Sequence, residues 1–371
     1  MKKRIAVLGA TGSIGKSSLD IISRDSENFE TVLLTARSSR SKLEELSKQF
    51  PHAVCVLADE TNGKEKLLSA IAETKPDITI NGISGAAGLE PSLAAINAGS
   101  HLALANKETI VMAGSLAIRS AKEKNINIVP VDSEHSAIFH LLRFFAGQDG
   151  EKKENVSEII LTASGGPFRN LTVKDMENAT VKDALAHPTW NMGPKITIDS
   201  ASMANKGLEI IEACVFFNMP SEKIKVVIHP QSVVHSMIRL SNGVIYAQLS
   251  KPDMRHPIHD ALYWPVTTKS TLEPISFDSL TLEFSKPDTD KFPMLTYAWE
   301  AAKRGGLYPC AYNAANETAV TAFLEQKIKF LDIPKITEYV MQADWTCGNL
   351  DLETVLKADA EARQRAGSFI F

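Results

Sequence analysis

The chain has 371 residues, 44% hydrophobic and 23% charged, with a net charge of −4 at pH 7. That length exceeds one ordinary hydrophobic core and predicts two or three domains. No basic block and no bilayer-length apolar run occurs, which argues against nucleic-acid and membrane partners, and an anionic substrate would need a local positive site.

Residues 1–130 alternate strand and helix patterns, within a first domain read as 1–146, with β-rich runs at 4–8, 31–35, 53–57, 77–81, 101–104 and 126–131. Helical patterns such as Ser13 to Arg24 and Ser41 to Phe50 lie between them. The alternation predicts an α/β domain, a Rossmann-like doubly wound parallel sheet. Its first strand starts at Arg4, which predicts no targeting segment ahead of it. The polar stretch 147–156 marks a boundary, and 147–262 reads as an α+β domain. Its expected strands are Ser157 to Ala163, Val226 to Ile228, Val233 to Leu240 and Val244 to Leu249, the last two joined by a Ser-Asn-Gly hairpin. Residues 164–194 read as a long loop, either plain or a mobile lid centred on 186–194. A helix is expected from Asp199, the cap, to beyond Glu209. Residues 263–290 read as a linker, and 291–371 as a helical bundle with helices near 294–303, 311–326, 333–342 and 352–366. The four cysteines form no Cys-x-x-Cys pair and read as reduced thiols of a cytoplasmic protein.

The loop Gly-Ala-Thr-Gly-Ser-Ile-Gly (9–15) follows a strand and opens a helix, the context of a dinucleotide site. Glycines allow close backbone approach to a pyrophosphate, and the helix N-terminus favours its charge. An NAD site usually carries an acid at the end of the second strand. Here the chain reads Arg37-Ser38-Ser39, which suits a 2′-phosphate and predicts NADPH. Solvated surface arginines are the plainer alternative.

Asp132 and Glu134 stand two apart at a strand's C-terminal end, where alternate side chains point the same way. They read as ligands of a hard cation. The alternative is a helix cap followed by a first-turn acid. Asn205 and Glu209 share a helix face, so Ser200, Asn205 and Lys206 could hold a phosphate while Glu209 reaches a metal. His135 and His235 stay outside this shell, since magnesium-type ions prefer oxygen.

These motifs recur in order with Ala-Asn-Lys-Glu (105–108), Ala-Ser-Gly-Gly-Pro-Phe (163–168), His-Pro-Thr-Trp-Asn-Met-Gly (187–193), Lys-Pro-Asp-Met-Arg (251–255) and Asn-Ala-Ala-Asn-Glu (313–317). The set resembles the 1-deoxy-D-xylulose 5-phosphate reductoisomerase family over essentially the whole chain. The resemblance implies that Thr11, Gly12, Ser13 and Ile14 hold the cofactor phosphates, with Asn106, Glu108 and Gly193 also lining the NADPH site. It implies that Asp132, Glu134 and Glu209 bind Mg²⁺ or Mn²⁺, and that Ser164, Ser200, Asn205 and Lys206 hold the substrate phosphate. Lys107, Ser133, Glu134 and His187 would contact the reacting half, Lys107 as proton donor or electrostatic stabiliser, with Trp190 and Met192 on the lid. The implied reaction rearranges a small phosphorylated sugar and reduces it with NADPH to 2-C-methyl-D-erythritol 4-phosphate, in a homodimer of the non-mevalonate isoprenoid pathway. The chain departs from the family at Arg37-Ser38-Ser39, where a Gly-Lys-Asn-like trio is frequent. A semialdehyde dehydrogenase would need a nucleophilic cysteine, a serine hydrolase a Gly-x-Ser-x-Gly elbow, and a mere NADPH sensor no carboxylate triad.

Overall fold

The structure is a computed structural model that describes residues 1–146, 155–190 and 192–370. Most of the expected boundary loop (147–154) and Asn191 of the expected lid lie outside the described residues. Two compact units are present: Met1–Thr109 with Leu116–Ser136 and Asp253–Glu273, and Ile110–Ser115 with Ala137–Pro252 and Pro274–Phe371.

The first unit is built on β1 (Lys3–Leu8), α1 (Ser13–Arg24), β2 (Phe29–Ala36), α2 (Arg40–Gln49), β3 (Val54–Leu57), α3 (Gly63–Thr74), β4 (Ile78–Asn81), α4 (Leu89–Asn97) and β5 (His101–Leu104). Next come α5 (Lys107–Glu123), β6 (Ile128–Pro130) and α6 (Ser133–Ala146). Residues 110–115 of α5 and 137–146 of α6 fall in the second unit. The six strands are all parallel, in the order β3-β2-β1-β4-β5-β6. Ile5, Ala6, Val7 and Leu8 are fully buried, the uninterrupted apolar run of a strand covered on both faces. The order reverses at β1, so a ligand crevice is expected beyond the C-terminal ends of β1 and β4.

The second unit carries β7 (Val156–Ala163), then α7 (Val173–Met176), α8 (Val181–Ala184), α9 (Pro194–Ala201) and α10 (Ala204–Phe216). β8 (Ile224–Ile228), β9 (Val234–Leu240) and β10 (Ile245–Leu249) complete a sheet of order β10-β9-β7-β8. α11 (Arg255–Tyr263) returns to the first unit, while α12 (Met294–Arg304), α13 (Tyr308–Leu324), α14 (Asp332–Met341) and α15 (Leu352–Ile370) form the expected helical region of the second.

Two local expectations change. The loop 164–194 contains two single-turn helices, each opened by a capping box, Thr172 with Asp175 and Thr180 with Asp183. The helix expected from Asp199 starts earlier, because Pro194 presets its first position, and it breaks at Ser202–Met203. Asp199 is therefore not a cap; it lies buried inside α9. Met203 adopts φ +63 to start α10.

Candidate active site

In the first unit, β1 delivers the glycine loop to the sheet's switch point. Gly9 has φ +78, and a Cβ there would stand 2.9 Å from the Gly82 carbonyl oxygen, so glycine lets the loops after β1 and β4 meet. Gly12 caps α1 without a side-chain bond, and no acid occupies the first turn. Gly12 and Ser13 are exposed, with Thr11 and Ile14 half-buried. This uncapped N-terminus fits a pyrophosphate. Arg37 and Ser38 lie exposed after β2, with Ser39 half-buried. Arg37 pairs with Asp59 at 3.4 Å, both side chains facing water, a contact too weak to withhold the guanidinium from a 2′-phosphate.

Asn106 is buried as the N-cap of α5. Its Oδ1 accepts from the Thr109 N–H at 3.0 Å, and its Nδ2 donates to Ile83 O, Gly85 O and Glu108 Oε2. Asn106 and Glu108 thus shape the loop beside the glycine turn from within. Lys107 points elsewhere: its Nζ lies 2.6 Å from Asp132 Oδ2, with Lys107 almost fully buried. This long-range pair joins the start of α5 to the end of β6. Ser133 Oγ donates to Glu134 Oε2, and His135 Nδ1 lies 3.5 Å from Asp132 Oδ1. Within this unit Lys107 and Asp132 meet, with Ser133 and Glu134 in the following turn, and the two carboxylates are oxygen donors suited to a hard cation.

In the second unit, two serines are brought together by a glycine. Ser164 follows β7, and Gly166, at φ +69, packs against the Ser200 carbonyl so closely that a Cβ would overlap its oxygen. His187 Nδ1 accepts the Thr189 and Trp190 N–H groups at 3.2 and 2.9 Å. Its Nε2 must then carry the hydrogen of the neutral ring and donate to Ser164 Oγ at 3.0 Å. Ser164 Oγ also accepts from Gly166 N at 3.2 Å, which leaves its own hydrogen to be donated elsewhere. Burial first, then the charge of Arg169, lowers the His187 pKa and favours that neutral ring. One turn into α10, Glu209 is wholly buried, its Oε1 accepting from Asn205 Nδ2 at 2.7 Å and its Oε2 from Lys206 Nζ. Burying a carboxylate is costly unless it is paired, and Lys206 supplies the pair. Trp190 and Met192 are half-buried and Gly193 exposed, so Trp190 is not a core residue.

Arg169 was not singled out by sequence. Its side chain has no hydrogen bond or ion pair among the described residues, although its charge is felt at His187 beside Ser164. His235 Nε2 meets Ser250 Oγ at 2.9 Å, a part-buried contact. Burial raises the pKa of Cys55 and Cys310 and pushes Cys214 up to about 12, so none of these three is a thiolate nucleophile.

Three family models match the chain: "1-deoxy-D-xylulose 5-phosphate reductoisomerase" over residues 5–114, and the C-terminal domains of that enzyme over 128–217 and 249–365. A 1-deoxy-D-xylulose 5-phosphate reductoisomerase of Treponema denticola is 47% identical over 98% of this chain and 96% of its own. That of Pelodictyon phaeoclathratiforme is 45% identical over 99% of this chain and its own full length. The structure of the Zymomonas mobilis enzyme in complex with NADPH is 41% identical, with a TM-score of 0.89 over 100% of this chain and 99% of that one. A DOX-P reductoisomerase in complex with NADPH, fosmidomycin and magnesium is 38% identical, with a TM-score of 0.91 over 99% and 98%.

Proposed function

Because the chain belongs to the 1-deoxy-D-xylulose 5-phosphate reductoisomerase family, we infer that it converts 1-deoxy-D-xylulose 5-phosphate to 2-C-methyl-D-erythritol 4-phosphate with NADPH and a divalent metal ion. The match along the full length at 47% identity carries this reading.

When bound, NADPH supplies the hydride and the cation supplies Lewis acidity for the carbonyl. The rest is the work of the chain's own residues. Thr11, Gly12, Ser13 and Ile14, at the uncapped start of α1, hold the cofactor phosphates, and Arg37, Ser38 and Ser39 the 2′-phosphate. Asn106 and Glu108 shape that pocket, with Gly193 at its lid side. Asp132, Glu134 and Glu209 are the metal ligands. Ser164, Ser200, Asn205 and Lys206 hold the substrate phosphate; the His187-set orientation of the Ser164 hydroxyl supports its role as donor. Ser133 and Lys107 bind the reacting half. In this reading Lys107 stabilises or protonates developing oxyanion charge, and the burial of its ammonium beside Asp132 supports that role. The segment 186–194, pinned at its start by His187, excludes water, with Trp190 over the substrate.

The protein acts in the cytoplasm as a homodimer. In support of the dimer, β10 is an edge strand among the described residues, Ile245 and Tyr246 on it are 42% and 39% exposed, and apolar strand edges invite a partner. No helix among the described residues is long and apolar enough to cross a membrane.

The test follows NADPH absorbance with 1-deoxy-D-xylulose 5-phosphate and Mg²⁺ or Mn²⁺, with and without chelator. Metal-dependent oxidation that disappears in Glu209→Gln is expected. No oxidation under either metal, with NADPH binding intact, would overturn the substrate.

A further inference from the structure

The motif Asn-Ala-Ala-Asn-Glu (313–317) has no role in the chemistry above, yet it lies in the wall behind the phosphate-holding helix. Asn316, fully buried on α13, donates from Nδ2 to Asp199 Oδ1 at 2.8 Å. Asp199 Oδ2 takes the Lys195 ammonium at 3.0 Å, one turn back on α9. Glu317 lies 3.9 Å from Lys195 and is itself held by Arg363 of α15 at 2.7 Å. Burial pulls the Arg363 pKa down, but its hydrogen bond to Asp359 and the charge of Glu317 outweigh that and hold it above its ordinary value. The cation end of this chain is therefore permanently charged.

We propose that Asn316 is a positioning residue for substrate phosphate: through Asp199 and Lys195 it fixes the orientation of α9 and hence of Ser200.

Three observations support it. Asp199 immediately precedes Ser200, so a rotation of α9 that breaks the Asn316 bond also turns the serine. Gly166 packs against the Ser200 carbonyl with no room for even a Cβ, so that carbonyl has little space to move. Among the described residues Asn316 Oδ1 has no hydrogen-bond partner, an arrangement that costs stability and that an apolar side chain would avoid, so the bond made by Nδ2 is what the amide contributes here. A buried, charge-assisted bond of this kind is a geometric constraint.

The inference rests on the reading of Ser200 as a phosphate ligand, so the experiment includes Ser200→Ala. In the metal-loaded full chain, Asn316→Ala is expected to raise KM for 1-deoxy-D-xylulose 5-phosphate about tenfold, with kcat within about twofold and the NADPH Kd unchanged. Inhibition by inorganic phosphate weakens in parallel. Asn316→Asp, which sets two carboxylates against each other, does worse. The double variant Asp199→Asn with Asn316→Asp, which reverses donor and acceptor, recovers much of the loss; it also serves if Asn316→Ala fails to fold. Unchanged KM in Asn316→Ala with a raised KM in Ser200→Ala overturns this inference alone. Unchanged KM in Ser200→Ala overturns the phosphate reading beneath it. A fall in kcat and thermal stability with no KM change and no rescue by the double variant also refutes positioning.

Discussion

Gly166→Ala isolates the contact that brings Ser164 and Ser200 together. The native φ is +69, where an L side chain costs roughly 1–2 kcal/mol. The added Cβ would overlap the Ser200 oxygen and stand 3.0 Å from its carbon and 3.2 Å from Ala201 Cα, all backbone that cannot swing aside. Overpacking of this kind adds roughly 1–3 kcal/mol, for a total of about 2–5 kcal/mol. Gly99→Ala is the control: its φ is +81, but no heavy atom lies within 4 Å of the new Cβ, so it meets only the backbone strain. Both variants would be read by thermal unfolding and by NADPH-coupled turnover. Gly99→Ala should lower stability modestly and leave KM alone. Gly166→Ala should lose more stability and raise KM for the phosphorylated substrate, because relief of the clash moves Ser200 away from Ser164. Equal destabilisation by the two variants, or an unaltered KM in Gly166→Ala, would refute the reasoning.

The His187 ring must be neutral to accept two backbone N–H groups, and its folded pKa lies below the ordinary 6.5. Its contribution is thus complete above about pH 6.5 and lost as pH falls from there through the lower folded value. KM for the substrate should rise over that acid range in the native protein and less so in His187→Asn; a flat profile in the native protein refutes the pinned segment. Arg37→Ala should raise KM for NADPH about tenfold and leave NADH unaffected, since only the former carries the 2′-phosphate; equal effects on both cofactors would remove Arg37 from that contact. Tyr246→Glu on the exposed strand β10 should shift the protein toward monomer in sedimentation, and an undiminished dimer would place the interface elsewhere.

Much of the architecture is legible in the chain because its signals are local. The buried run Ile5 to Leu8, the glycine loop behind it and the strand–helix alternation determine the parallel sheet and its crevice, since backbone freedom and hydrophobic period act between near neighbours. The spacing of Asn205 and Glu209 likewise determines that they share a face, and they bond at 2.7 Å. The capping boxes at Thr172 and Thr180 were also written in the sequence, as Thr-x-x-Asp, beneath the broader impression of a loop. The choice of partners was decided by the tertiary structure. Asp199 looked like a helix cap by local chemistry, yet Pro194 starts the helix upstream and delivers the carboxylate to Asn316, 117 residues away. Lys107 has an acid beside it in sequence, but helical geometry turns it to Asp132. His187 is a plain histidine until the turn at 187–190 points two N–H groups at Nδ1, which fixes the tautomer and, through it, the direction of the Ser164 hydrogen. A residue's identity limits what it can bond, whereas which group it meets depends on a chain path built by packing between distant segments.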